Sequence, residues 1–276
     1  AGPVLAAAAG ADLADLEFCQ FHPTAVALPG SPFDGVLITE AIRGEGAMLL
    51  GAAGERFTDE LAPRDAVTAA ILDRMQADGA PDVKLDLRAI DPARFPNVFA
   101  SLAEAGLSPR SEPVPVAPAA HYMMGGIVVD LDGRSSLPGL FAVGEASCTG
   151  LHGANRLASN SLSECFVFGS RAASAAVAEE AGGARPSLPE WSFDPPTQEI
   201  RDAVWRRAGP KRNPDDLASL ISSPYPLATA IARSALTRRE SRGGHLRTDC
   251  PATDADLDGV HFVLAADGEV RREEWR

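Results

Sequence analysis

The alternation of apolar and polar positions divides this chain into short buried runs and a few longer helical stretches. FCQFHPTAV at 18–26 and GVLITEAI at 35–42 read as strand-like runs bounded by turn residues. DAVTAAILDRMQADGA at 65–80 carries its apolar residues at helical spacing and reads as an amphipathic helix. IVVD at 127–130 and LFAV at 140–143 read as core strands, the second bounded by Gly139 and Gly144. From Asn160 onward the chain is apolar or small on most faces. That pattern predicts a buried helix whose first N–H groups, near Ser161 and Leu162, have no intrahelical partners. EIRDAVWRRAG at 199–209, DDLASLISS at 215–223 and LATAIARSALTRRESR at 227–242 read as further helices, after a Pro-rich linker, PSLPEWSFDPPTQE, at 186–199. No internal repeat is visible.

The segment from Gly139 to Leu162 packs a strand, a carboxylate at its end, a glycine-rich turn and a helix start into one short run. Glu145 stands past the carboxyl end of the strand, where open α/β sheets bind ligands, and a carboxylate there suits a ribose diol. Free N–H groups and the positive end of a helix dipole suit an anion, including the N1/C2=O edge of a reduced flavin. Taken alone, Gly150, Gly153 and Asn155 could simply supply turn geometry around a solvated Glu145.

Charge and composition narrow the partners. The net charge of -13 over 276 residues argues against nucleic acid and anionic membrane surfaces, so an anionic substrate must be held by local cations. Cys19, Cys148, Cys165 and Cys250 show neither C-x-x-C nor zinc spacing; no metal site is expected, and the thiols read as free and buried in a reducing, cytoplasmic setting. The alanine-rich opening lacks a basic n-region and is too short to span a bilayer, so neither a secretory signal nor a membrane span is expected.

GLHGANRLASNSL at 150–162 resembles the carboxyl-terminal FAD-contacting motif of the succinate dehydrogenase, fumarate reductase and L-aspartate oxidase flavoprotein superfamily. EFCQFHPTAV at 17–26, TEAIRGEGAMLL at 39–50, ELAPRDAV at 60–67 and PAAHYMMGGIVVD at 118–130 match it in order and spacing. The wording of ELAPRD, PAAHY, HGANRLASNSL and TRRESRGGHLRTD at 237–249 is most similar to the L-aspartate oxidase branch.

The resemblance implies an α/β plus α+β fold. Part of an FAD-binding Rossmann-like domain falls at 1–15 and 122–180, an α+β capping domain at 16–121, and a helical carboxyl-terminal domain at 196–276. It implies FAD as cofactor, with Glu145 on the ribose and Asn160, Ser161 and Leu162 at the flavin. It implies oxidation of L-aspartate to iminosuccinate, with dioxygen or fumarate as electron acceptor, as the first step of NAD biosynthesis, and quinolinate synthase as receiver of the product. The alternative reading is a fumarate reductase or succinate dehydrogenase flavoprotein subunit.

Oxidising an amino diacid requires cations or donors for two carboxylates and a group for the amine. The resemblance assigns substrate contacts to His22, Thr39, Glu40, His121 and Arg156, and proton transfer to Arg64. A guanidinium keeps its proton in nearly all settings, so chemistry favours Arg64 as a carboxylate-facing electrostatic group. By residue type alone, a lone histidine is more often structural, Arg64–Asp65 a helix-start charge pair, and Arg43 and Glu45 a solvated or local ion pair. His152 and His245 read as structural.

The family also opens with a G-x-G-x-x-G turn for the FAD pyrophosphate, and none occurs in these 276 residues. The expectation is therefore a carboxyl-terminal portion that needs a separate FAD-domain chain, the extreme case being an inactive fragment. One family glutamate at the substrate amine lies in the part not present. The connections near Phe57 and Arg212 are shorter than the family's, which loops tolerate at little thermodynamic cost.

Overall fold

The computed structural model describes residues 2–179 and 195–275. Residues 186–194 of the expected linker lie outside that set. The chain forms two compact units, one of residues 1–20 and 122–276 and the other of residues 21–121.

The first unit is built on a five-stranded sheet in the order β11-β10-β1-β6-β7. Its strands are β1 (Leu13–Ala14), β6 (Gly126–Val128), β7 (Ser147–Cys148), β10 (Val260–Leu264) and β11 (Val270–Glu274). β1 pairs antiparallel with both β10 and β6, whereas β6 and β7 run parallel, Ile127 opposite Ser147. Helices α1 (Gly2–Ala8), α6 (Gln198–Ala208), α7 (Pro214–Leu220) and α8 (Pro226–Thr237) belong to this unit. Its core gathers Leu13, Leu16, Ile127, Leu217, Leu220 and Ile231. The short strands β8 (Lys211–Arg212) and β9 (Leu246–Arg247) pair separately.

The second unit holds a four-stranded sheet in the order β2-β5-β4-β3, from β2 (Cys19–Val26), β3 (Met48–Leu50), β4 (Val83–Asp86) and β5 (Val114–Met123). Three helices accompany it: α2 (Ala41–Gly44), α3 (Arg64–Asp78) and α4 (Pro96–Glu104). α3 starts after Pro63 and stops at Gly79, whose left-handed φ of 61° suits glycine. Val67 and Ile71 bury its apolar side among Leu49, Leu85 and Val116.

Several local expectations change. GVLITEAI is not a strand: Leu37 makes one bridge to Ala25, and the run turns into α2. LFAV is not a sheet strand either. Phe141 bridges Arg134, and Ala142 donates to Gly133 O, so local pairing uses up its backbone while β7 extends the sheet. The long helix α5 (Asn160–Ala178) forms as expected but is not buried: only Glu164, Phe168, Ala172 and Ala175 are, while Leu162, Phe166, Val167 and Val177 are exposed. Among the described residues nothing covers that face. The β10–β11 hairpin after α8 carries no strand signal noticed in the sequence. Of the cysteines, all free, Cys148 is buried and Cys165 is exposed on α5.

Candidate functional site

In the unit of residues 21–121, the bonded histidine and the ion pairs sit where β2, α2 and the start of α3 present them. His22 is buried on β2; Pro23 behind it keeps it extended. Its Nδ1 accepts from Thr24 N at 3.2 Å, which leaves the proton on Nε2. Burial, reinforced by the Arg64, His121 and Arg43 charges, lowers its pKa to about 3, so the ring is neutral and a single-proton donor across the physiological range. The His121 ring stands edge-on to it, centroids 5.5 Å apart. Glu40, at the start of α2, accepts from Arg64 Nε at 2.6 Å, and Arg43 Nη2 lies 3.8 Å from the same carboxylate. Thr39 is exposed, its hydroxyl accepting from Ala41 N.

Arg43 corrects an expectation. It is buried, its guanidinium donates to Glu60 O, and its partner is Glu40, while Glu45 pairs with Arg94. The sequence signal for it was its place inside the TEAIRGEG block, which charge-pair reasoning discounted.

In the other unit, Glu145 lies in a 3-10 turn (Gly144–Ala146) and is exposed, with Oε1 accepting from Met123 N at 3.1 Å. α5 begins at Asn160 after Ser159, which has the left-handed φ of 67°. The N–H of Leu162 is not free as expected, because it donates to Ser159 O at 3.2 Å. Arg156 is buried in the glycine-rich turn. Its guanidinium lies 4.4 Å over the Tyr122 ring, and Nη1 donates to Ser161 Oγ at 3.2 Å and to Leu157 O at 3.3 Å. Behind it, Glu164 of α5 accepts from Thr149 Oγ1 at 2.6 Å and from His152 Nε2 at 2.8 Å. Burial works to raise the Glu164 carboxyl, but these bonds more than offset it and leave it below the usual range. Tyr122 lies inside the PAAHYMMGGIVVD block and Glu164 two residues beyond the GLHGANRLASNSL block, and neither was singled out by the sequence.

An exposed carboxylate, the backbone of a helix start and an arginine bonded to that helix's first-turn serine define a class. The chain belongs to a family of FAD-dependent flavoproteins: residues 1–162 match the FAD binding domain and residues 221–272 the fumarate reductase flavoprotein carboxyl-terminal region. Its curated relatives include L-aspartate oxidases, 46% identical in Caulobacter vibrioides over 96% of this chain and 55% of the relative. The Streptomyces coelicolor L-aspartate oxidase is 50% identical over 100% and 51%. Among solved structures, an E. coli quinol fumarate reductase superposes with TM-score 0.79 at 32% identity, over 99% of this chain and 60% of that one. Mycobacterium smegmatis Sdh1 in complex with UQ1 gives 0.79 at 31%, over 100% and 58%. The chain thus spans about half the length of the curated relatives it matches.

The donor set fits part of FAD. Glu145 Oε2 has no partner among the described residues and suits a ribose hydroxyl, and the exposed Leu162 beside the half-buried Ser161 offers an apolar and hydrogen-bonding edge for the isoalloxazine. Nothing among the described residues has the G-x-G-x-x-G form that cradles a pyrophosphate. No described helix is long and apolar enough to cross a membrane.

Proposed function

We propose that this chain is the carboxyl-terminal portion of an FAD-dependent L-aspartate oxidase, converting L-aspartate to iminosuccinate in the cytoplasm and feeding NAD biosynthesis through quinolinate synthase. The observation that carries the reading is 43–50% identity to several L-aspartate oxidases over more than nine-tenths of the chain. We assign residues 1–15 and 122–180 to the FAD-binding domain, 16–121 to the capping domain and 196–276 to the carboxyl-terminal domain.

FAD, held by Glu145, Asn160, Ser161 and Leu162, would supply a two-electron acceptor for the Cα hydrogen, with dioxygen or fumarate as the final electron acceptor. Neutral His22 donates Nε2–H to one substrate carboxylate without competing for its proton. Arg64, its guanidinium held by Glu40, faces a substrate carboxylate as a fixed positive charge. Glu40 and Thr39 supply an acceptor and a hydroxyl for the ammonium end, and His121 a further single donor. Arg156 supplies a two-pronged grip on a carboxylate. Glu145, Asn160, Ser161 and Leu162 are the cofactor contacts.

The test pairs the chain with an amino-terminal FAD domain and measures peroxide with L-aspartate and with succinate. Aspartate is the expected substrate; turnover of succinate alone would replace this reading with the dehydrogenase one. The chain by itself should lose FAD on desalting, and stoichiometric retention would overturn its assignment as an incomplete site.

A further inference from the structure

The turn that carries Arg156 is gripped by groups to which the proposed chemistry gives no task. Gln20, buried on β2, sends Nε2 to Asn155 Oδ1 at 3.0 Å and to Arg156 O at 2.7 Å. Gly244 N donates to Ala154 O at 2.9 Å. A Cβ at Gly243 would lie 2.2 Å from Ala154 O, and one at Gly244 only 2.4 Å from Cys19 O, the residue before Gln20. Three backbone segments are thus pressed together with no room for a methyl group, and Gly243 needs its left-handed φ of 52° as well.

The outer member of this stack is itself rigid. Arg242 and His245 exchange backbone hydrogen bonds at 2.8 and 3.0 Å across the two glycines. His245 is fully buried, with Nδ1 at 2.7 Å from Arg212 Nη1 and Nε2 at 3.1 Å from Arg238 O, so Nε2 donates and Nδ1 accepts. These contacts account for the two glycines and the histidine of the SRGGH string within TRRESRGGHLRTD. On the gripped turn, Arg156 N also meets Met124 Sδ at 3.3 Å, and Ala154 packs with Phe18, Tyr122 and Met124.

We propose that Gln20 and the Gly243–Gly244 turn are positioning residues for Arg156, fixing the backbone from which its guanidinium meets a dicarboxylate. The inference rests on the proposed function only for the ligand; the positioning itself is a property of this chain. Gln20→Met keeps the volume and removes both bonds, leaving the buried Arg156 O and the part-buried Asn155 Oδ1 without them.

The experiment follows backbone hydrogen exchange and the rate at which a dicarbonyl reagent modifies Arg156, both by peptide mass mapping on the full chain. In Gln20→Met, exchange at 153–157 should quicken about tenfold and Arg156 labelling several-fold, with β8 and β9 unchanged, because loss of local bonds opens the turn rather than the fold. Unchanged exchange and labelling would overturn the proposal, as would equal quickening at β8 and β9. Should Gln20→Met fail to fold, Gly243→Ala supplies the same comparison through the Ala154 contact. In the chain paired with its FAD domain, KM for the dicarboxylate should rise about tenfold with flavin content retained, since a misplaced grip weakens orientation before it weakens the fold. A loosened turn with normal KM would keep the positioning and remove Arg156 from the substrate.

Discussion

Arg156 and His22 show how little of a side chain's task is written in its type. The Tyr122 ring and Ser161 hydroxyl hold the Arg156 guanidinium in one plane. Lysine offers a point charge without the fork, so Arg156→Lys in the paired enzyme should cut aspartate turnover by on the order of 100-fold while flavin content and melting temperature hold. Joint loss of flavin and stability would mark Arg156 as structural instead. For His22 the pH dependence has a definite sign. Its folded pKa lies near 3 and its unfolded value near 6.5, so between them only the unfolded state binds the proton, and stability falls as pH drops through that window. His22→Asn can keep an acceptor for Thr24 N and should flatten this acid limb in melting experiments from pH 6.5 to 4.

At the scale of elements, two glycines of opposite environment make a paired test. Gly126 in β6 has no space: a Cβ there would meet Ala146 O at 2.6 Å, so Gly126→Ala must push β6 away from the turn that carries Glu145. A loss of about 3 kcal/mol or failure to fold is expected. Gly169 lies inside α5 with nothing within 4 Å, and Gly169→Ala should stabilise the isolated chain by up to about 1 kcal/mol. Melting curves of both variants check this. α5 also shows why periodicity alone misjudged burial. Its apolar residues surround the helix as they do in a buried one, but burial needs a neighbour, and the described residues supply one only along Glu164, Phe168, Ala172 and Ala175.

The most unusual whole-molecule feature is a buried cluster that ties residues 15–17 to the last quarter of the chain. The Arg238 guanidinium lies between the Phe18 and Phe262 rings, each 4.6 Å away, and pairs with Glu17 at 2.7 Å and Glu240 at 2.9 Å. Burial and the nearby Asp15 carboxylate raise Glu17 to about 7, against the opposing pull of Arg238. Between about pH 4.5 and 7 the folded state therefore holds a proton that the unfolded state has lost, and this group's contribution falls as pH rises through that window. Glu17→Gln, which can still accept from Arg238, should flatten the melting temperature over that window; an unchanged slope would mean that Glu17 titrates as an ordinary carboxylate.

The sequence by itself determined the longer helices, the family and the residues to inspect, because helical spacing and motif blocks are local and survive without a partner, whereas the short α2 and α4 went unread. α3, α6 and α7 therefore lie close to where the pattern puts them, while α8 starts as read but ends at Thr237, the expected helical turn over 238–242 not forming and Arg238 being extended instead. LFAV and GVLITEAI read wrongly because strand identity depends on a pairing partner, which no local run specifies. Only the tertiary structure decided that Glu40 meets Arg64 across 24 positions, that Arg43 is buried and that Gln20 holds a turn 135 positions away. Such contacts arise from chain crossings and from the requirement that buried polar groups find partners, and neither is written in the order of residues along the chain.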